Sequence, residues 1–147
     1  MYGDRKIIVR SLGALVVLAL LFTSSCKKDE PGGIPDVPVD ITINVNLPEH
    51  AAIQVPGGAE QITGGSRGII IYRSTFDDFL AFDRHCPYRP EDLCAVALDS
   101  TLTTATDHSC CSTSYLLING SVTNGPGALP LKGYNTTFNG TLLRIFN

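Results

Sequence analysis

The chain has 147 residues with a formal net charge of −3 at pH 7, from 14 acidic and 11 basic side chains. That length suits one domain and is too short for two domains of ordinary size. Because the sequence has no basic patch and no platform of aromatic residues for base stacking, nucleic acid is not expected among its partners.

The first 25 residues have the pattern of a secretory signal peptide. Three basic residues precede an uncharged apolar run from residue 12 to residue 22, and small residues follow at 23–25. The run is too short to span a bilayer by itself. Cys26 follows at once, which resembles a bacterial lipobox, although Thr23 stands where such boxes more often carry Leu. The resemblance implies a lipid anchor on Cys26 and an outer-membrane lipoprotein that faces the periplasm or the cell surface. An ordinary secreted protein with an unmodified Cys26 is the alternative.

Residues 26–40 are predicted to form a tether between the membrane and the domain. The charged run Lys27–Glu30 resembles the export tag of Bacteroidetes-type surface lipoproteins, with a solvated spacer as the alternative. The following residues, to Asp40, are rich in Pro and Gly and offer little to bury, which indicates an extended linker. The folded domain is therefore predicted to span residues 41–147.

The domain shows strand patterns throughout. From Ile41 to Leu47 apolar and polar residues alternate, which indicates a strand with one solvent-exposed face. Further strands are predicted at residues 68–73, 79–82, 95–98, 115–118 and 141–146, and Asn119-Gly120 and Asn139-Gly140 are typical of two-residue hairpin turns with positive φ at both positions. Since no segment has a sustained 3.6-residue period, the sequence predicts an all-β domain of six to nine strands in an antiparallel sandwich or small barrel.

Candidate ligands are concentrated between His85 and Tyr115. This stretch holds two of the three His and four of the five Cys, in the groups His85-Cys86, Cys94 and His108-Ser109-Cys110-Cys111. Two short groups of soft ligands separated by a strand-length spacer can close two loops over one metal centre, and a disulfide between the same loops is the plainer interpretation. His85 directly precedes Cys86 and is expected at the surface or behind the ligands.

The order of these features resembles the Rieske iron–sulfur family. Cys86-Pro87-Tyr88 stands at the first ligand loop and His108 to Cys111 at the second, followed by Tyr115 for the aromatic residue, Gly120 for a turn and Gly125-Pro126 for the covering loop. The resemblance implies an all-β base with an inserted metal-loop subdomain at residues 84–127. It also implies a 2Fe–2S cluster on Cys86, Tyr88, His108 and Cys111, and a one-electron carrier, not an enzyme, that meets a redox protein partner.

The ligand positions depart from the family pattern. Rieske centres use two Cys and two His, and of the four positions only Cys86 keeps the expected type. Tyr88 replaces a His, and a phenol is a poor substitute because its pKa is near ~10 and its ionised form adds charge. Zinc is the alternative occupant, on a tetrahedral set of Cys86, Cys94, His108 and Cys111.

The respiratory branch of the family also carries a disulfide between its two loops. The resemblance places that bond between Cys94 and Cys110, where export would allow it to persist. A third alternative is a metal-free domain in which a second disulfide joins Cys86 to Cys111. The sequence thus predicts a membrane-anchored iron–sulfur or metal-binding electron-transfer module, with a cluster-free or zinc-bound structural or binding lipoprotein as the competing hypothesis.

Overall fold

The computed structural model describes residues 33–147. The predicted signal peptide, the Cys26 anchor and the export tag lie outside the described residues. In the described part of the chain, no helix is long and apolar enough to cross a bilayer. The strands are β1 (Asp40–Asn44), β2 (Ala59–Ile62), β3 (Ile69–Arg73), β4 (Phe79–Asp83), β5 (Ala97–Leu98), β6 (Thr104–Thr106), β7 (Ser114–Leu116), β8 (Val122–Asn124), β9 (Gly133–Phe138) and β10 (Leu142–Phe146), with short 3₁₀-helices at Pro48–Ile53 and Pro90–Asp92.

A six-stranded antiparallel sheet forms the base of the domain, in the order β1-β10-β9-β4-β3-β2. All five residues of β3 are buried, as expected of its continuous apolar run, and this strand pairs with β2 on one side and β4 on the other. At the other end of the sheet, Ile41 pairs with Ile145 and Ile43 with Leu143. Apolar residues of this base pack into one of the two cores of the domain.

A smaller antiparallel sheet of four strands, in the order β5-β6-β7-β8, is inserted between β4 and β9. It has its own core, in which Val96, Ala105, Tyr115 and Leu117 are fully buried. Because β4 and β9 pair directly, at Ala81 with Tyr134, the whole insert leaves and re-enters the base at one place. The expected all-β fold with an inserted subdomain is confirmed.

Several strand bounds differ from the sequence prediction. The first strand ends at Asn44, because the Leu47 N–H bonds the Asn44 carbonyl and turns the chain. There are ten strands among residues 33–147, more than predicted, since β5, β6 and β8 have only two or three residues and are too short for a periodic pattern.

Both Asn-Gly turns are present, but with a different conformation. Only the glycines have positive φ, 72° at Gly120 and 92° at Gly140. Each asparagine instead accepts a hydrogen bond on its side-chain oxygen from the backbone N–H two residues later, so Asx turns close these loops.

The last part of the predicted tether packs against the domain. Ile34 and Val39 are buried at 2% and 6% exposure. The Val39 N–H bonds the side chain of Asn147, and Asp36 pairs with Lys132 at 2.9 Å. The folded part therefore begins before residue 41, because Val39 packs into the core of the larger sheet and Ile34 is buried as well.

Candidate metal centre

The first loop of the candidate site follows β4 and is a distorted hairpin. Its two arms are joined by the bridge between His85 and Ala95 and by the Cys86 N–H, which bonds the Cys94 carbonyl at 2.9 Å. The 3₁₀-helix Pro90–Asp92 forms the tip, flanked by Arg89 and Leu93 in the left-handed conformation. This pairing sets the two cysteines of the loop side by side.

The second loop, between β6 and β7, is built around the carboxylate of Asp107. This side chain is fully buried, and its Oδ1 accepts the backbone N–H groups of Ser109 and Cys110, both at 3.0 Å. The Asp107 backbone closes the loop as well, since its N–H bonds the Thr113 carbonyl and its carbonyl accepts the Ser112 N–H. The side chain and the backbone of Asp107 therefore both close the loop.

A disulfide between Cys94 and Cys110 ties the two loops together, with the Cα atoms 6.4 Å apart. The bond that the family resemblance implies is thus present in the structure. Because both sulfurs are used in this bond, Cys94 is not available as a metal ligand. The predicted Cys₃His zinc set, which includes Cys94, is therefore wrong.

The two remaining cysteines, Cys86 and Cys111, are free thiols that meet between the loops. Their Sγ atoms lie 3.7 Å apart, and Cys86 is fully buried while Cys111 is half-buried. The Cys86 sulfur also contacts the hydroxyl of Tyr115 at 3.5 Å, and the Cys111 sulfur contacts Thr113 Oγ1 at 3.0 Å. The second disulfide of the metal-free alternative is not formed in this structure, although its two sulfurs are neighbours.

Asp107 completes the group of donors at this point. Its Oδ2 accepts a hydrogen bond from the Cys111 thiol at 3.2 Å, and donor atoms of Cys86, Asp107 and Cys111 all lie within 4.8 Å of one another. Asp107 is not among the predicted ligands, because only His, Cys and Tyr side chains were considered as donors. An Asp directly before the polar run His-Ser is a common start of an Asx turn, and that signal could have placed its carboxylate inside the loop.

The electrostatics of the site favour a neutral Cys86 beside an ionised carboxylate. Burial raises the pKa of Cys86 to about 12, although hydrogen bonds from the Tyr115 hydroxyl and the Tyr88 backbone oppose this. Burial likewise raises the pKa of Tyr115. For Asp107, burial acts to raise the pKa, but hydrogen bonds from the Cys111 thiol and two backbone N–H groups outweigh it and leave the pKa below its ordinary value.

His108, which the resemblance places among the ligands, lies outside the site. Its side chain is 65% exposed, and its Nε2 is 3.4 Å from Asp99 Oδ1, with which it pairs at the surface. Tyr88 is half-buried and packs against the core of the small sheet, and its contribution to the site is its backbone hydrogen bond to the Cys86 sulfur.

His85 is fully buried, so of its two expected positions the one at the surface is wrong and the one behind the ligands agrees with the structure. Its Nδ1 lies 2.8 Å from Ser66 Oγ and its Nε2 lies 2.9 Å from the Pro90 carbonyl. Both ring nitrogens are thus engaged by the protein, and the ring supports the first loop from behind.

The covering loop at Gly125-Pro126 lies over the second loop. A Cβ on Gly125 would come within 2.6 Å of the Thr113 Cα, and one on Gly127 would come within 3.3 Å of the Tyr115 hydroxyl. The Gly127 N–H also bonds Thr113 Oγ1 at 3.2 Å. Glycine is therefore required here, because the loop backbone touches the residues that contact both thiols.

No protein-family model matches the chain, and no curated protein matches it. Among solved structures, the chain is similar to one from the complex of reduced oxygenase and oxidized ferredoxin in carbazole 1,9a-dioxygenase, with 15% identity and a TM-score of 0.49 over 73% of this chain and 93% of the other. It is also similar to the ferredoxin of carbazole 1,9a-dioxygenase from Nocardioides aromaticivorans IC177, with 14% identity and a TM-score of 0.49 over 75% and 97%. A likeness at this level concerns the fold and carries no information on bound groups.

The described residues do not fit a Rieske cluster. Such a cluster needs two donors on each of two irons, with two imidazoles on one of them. Here both nitrogens of His85 are engaged elsewhere and His108 faces solvent.

The donors that do gather fit a single ion. Zinc–sulfur bonds of about 2.3 Å in a tetrahedral site place two sulfurs roughly 3.8 Å apart, and the observed separation is 3.7 Å.

Proposed function

We propose that this protein is an exported, lipid-anchored, Rieske-like domain that binds one metal ion, zinc, between Cys86, Cys111 and Asp107, and forms no 2Fe–2S cluster. The observation that carries the proposal is the meeting of two free thiols and a buried carboxylate, all within 4.8 Å, between loops that a separate disulfide holds together. Export and anchoring rest on the signal-peptide pattern and on Cys26.

The proposed site is a binding centre, and substrate turnover is not required of it. Three protein ligands leave one position of a tetrahedral ion for water or an external ligand. Ligation requires the buried Cys86 thiol to lose its proton, so the ion and the proton compete for this sulfur. The Tyr115 hydroxyl and the Tyr88 N–H are in place to stabilise the resulting thiolate by hydrogen bonding.

One observation favours a second candidate, an iron ion at the same place that carries single electrons to a redox protein partner. The Tyr115 hydroxyl lies 3.5 Å from the Cys86 sulfur, and hydrogen bonds to ligand sulfurs set the potentials of iron–thiolate centres. This candidate uses the same three ligands and differs in the metal and in a reversible redox couple.

Metal analysis of the full chain, purified without oxygen in a nonionic detergent, tests both candidates. We expect about one zinc per chain, and a Co²⁺-substituted form with the strong near-ultraviolet absorption of cobalt–thiolate bonds. Cys86→Ser and Cys111→Ser should each lose the metal, while His108→Ala should keep it. One iron per chain with a reversible couple would select the second candidate. Two irons with inorganic sulfide, or no metal in the unaltered chain, would refute the single-ion site.

A further inference from the structure

A cavity of about 620 Å³ lies beside the larger sheet, and neither Cys86, Cys111 nor Asp107 belongs to its lining. It is lined by residues 61–68, which comprise the end of β2 and the glycine-rich loop before β3, and by Arg84 just after β4. Arg67 and Arg84 are the two charged residues of this lining, and both are positive.

The loop is shaped to bring Arg84 against it. Gly68 has a φ of 101°, and a Cβ at this position would lie 3.2 Å from Cδ and 3.3 Å from Nη1 of Arg84. The Arg84 Nε donates to the Val96 carbonyl at 2.8 Å, which fixes the side chain by its near end. Its two terminal nitrogens have no hydrogen-bond acceptor among residues 33–147 and remain available to a ligand.

Arg67 and Arg84 line the same cavity, and both side chains are positively charged. Asp83 is the nearby carboxylate, but its oxygens already accept the N–H groups of Ser66, Arg67 and His85 and the Tyr134 hydroxyl. In the described part of the chain neither arginine has a salt-bridge partner, so two positive charges share one cavity without an anion of their own.

We propose that this cavity binds a phosphate group, held by the guanidinium groups of Arg67 and Arg84. Guanidinium presents paired N–H donors that match phosphate oxygens, and two such groups balance the double negative charge of a phosphate monoester. The backbone N–H groups of Ser66 and Arg67 are used by Asp83, so recognition falls to the two side chains. The group can come from free phosphate or from a phospholipid whose phosphate is a monoester, such as phosphatidic acid, beside the anchored domain.

Binding in the cavity can be detected at His85, which is next to the proposed metal site. Ser66, in the lining, contacts His85 Nδ1 at 2.8 Å, and His85 directly precedes Cys86. Binding in the cavity should therefore shift the NMR signals of residues 64–68 and of His85, and leave those of the β9–β10 turn unchanged.

Titration of the full chain in nonionic detergent, followed by ¹H–¹⁵N NMR, tests the proposal with three probes: inorganic phosphate, sn-glycerol 3-phosphate and acetate. Saturable shifts at residues 64–68 are expected with the phosphate probes, and acetate should bind at least about tenfold more weakly. Tighter binding of glycerol phosphate than of inorganic phosphate would indicate the lipid source, and the reverse order would indicate the free ion. Equal binding of acetate, or no shifts with either phosphate probe, would overturn the proposal.

Substitutions separate the cavity from general surface charge. Arg67→Gln removes an exposed side chain and should weaken phosphate binding by about tenfold or more, since it deletes one charged donor pair. Arg89→Gln is the matched control, because Arg89 is exposed, pairs with Asp92 at 3.2 Å and lies outside the cavity. Arg84→Lys keeps the charge, loses the fork, and should weaken binding without unfolding the domain. Equal effects of Arg67→Gln and Arg89→Gln would refute a specific site.

Discussion

Replacement of Asp107 by Asn separates the structural role of this residue from its proposed role as a metal ligand. Asparagine has nearly the same shape, so its side-chain oxygen can still accept the N–H groups of Ser109 and Cys110 that close the second loop. Its NH₂ group then faces the Cys111 sulfur, where the carboxylate oxygen now lies at 3.2 Å. The loop is kept and the anionic ligand is lost.

The expected magnitudes follow from these contacts. A hydrogen bond to a charged group contributes about 1 kcal/mol more than a neutral one, so two such bonds predict a loss of about 2 kcal/mol in the free energy of unfolding. Loss of a residue behind a ligand typically lowers metal affinity by about 10–100-fold. Loss of a ligand itself should reach at least the upper end of that range, which is about 2.7 kcal/mol.

The assay is a competition titration of Co²⁺ or Zn²⁺ against a chromophoric chelator, with urea unfolding of the same samples. Asp99→Asn is the matched control. Asp99 directly follows β5 of the small sheet, accepts hydrogen bonds from the hydroxyls of Thr104 and Thr106, and does not belong to the gathered donors. It should lose some stability and keep its metal affinity. If Asp107→Asn binds metal as tightly as the unaltered chain, then Asp107 is not a ligand and the three-donor site is wrong.

Three further predictions concern the same region. Cys94→Ser with Cys110→Ser should lower the free energy of unfolding in urea by about 3 kcal/mol, because the bond closes a loop with a sequence separation of 16; an unchanged midpoint would contradict this. The metal-free protein should lose stability as pH rises from about 9 toward 12, because the pKa of Cys86 is raised in the folded state. The stabilisation is fully present below the ordinary thiol pKa and is lost as the pH rises through the raised value. Urea midpoints measured against pH should show this loss, and Cys86→Ala should reduce it. His108→Ala should leave metal affinity unchanged and alter stability by less than about 1 kcal/mol, because its ion pair with Asp99 is at the surface; a loss of metal on titration would return His108 to the ligand set.

The base of the fold could be predicted from residue patterns, and the small sheet only in part. The alternation from Ile41 marks a strand with one face turned inward, and the continuous apolar run of β3 marks a strand that is buried throughout. Both kinds of burial leave a pattern that the sequence shows. Strands of two or three residues leave none, and their positions are set by the turns and by the disulfide between the loops. The prediction for residues 33–39 was wrong, since the prolines indicated a free linker and Ile34 and Val39 are buried in the domain.

The donors that gather lie in the stretch of the chain where ligands were expected, but residue type alone could not show which of its residues would meet. Cys86 and Cys111 meet as expected. His108 was expected among the ligands and is exposed, whereas His85 is buried behind the first loop, because the path of the backbone decides which side chains face inward. Asp107 was missed because its role depends on the closed shape of the second loop, which no spacing rule shows.

The way the two loops are held bears on what an ion could do between them. In small zinc domains the metal supplies the folding free energy, so binding and folding cannot be separated. Here the Cys94–Cys110 disulfide and the buried Asp107 carboxylate already position both thiols, and the glycines of the covering loop pack against Thr113 beside Cys111. An ion in this site would therefore meet donors that are largely in place, and its affinity would be limited mainly by the protons that it must displace. We therefore expect that removal of the proposed ion with a chelator leaves the domain folded.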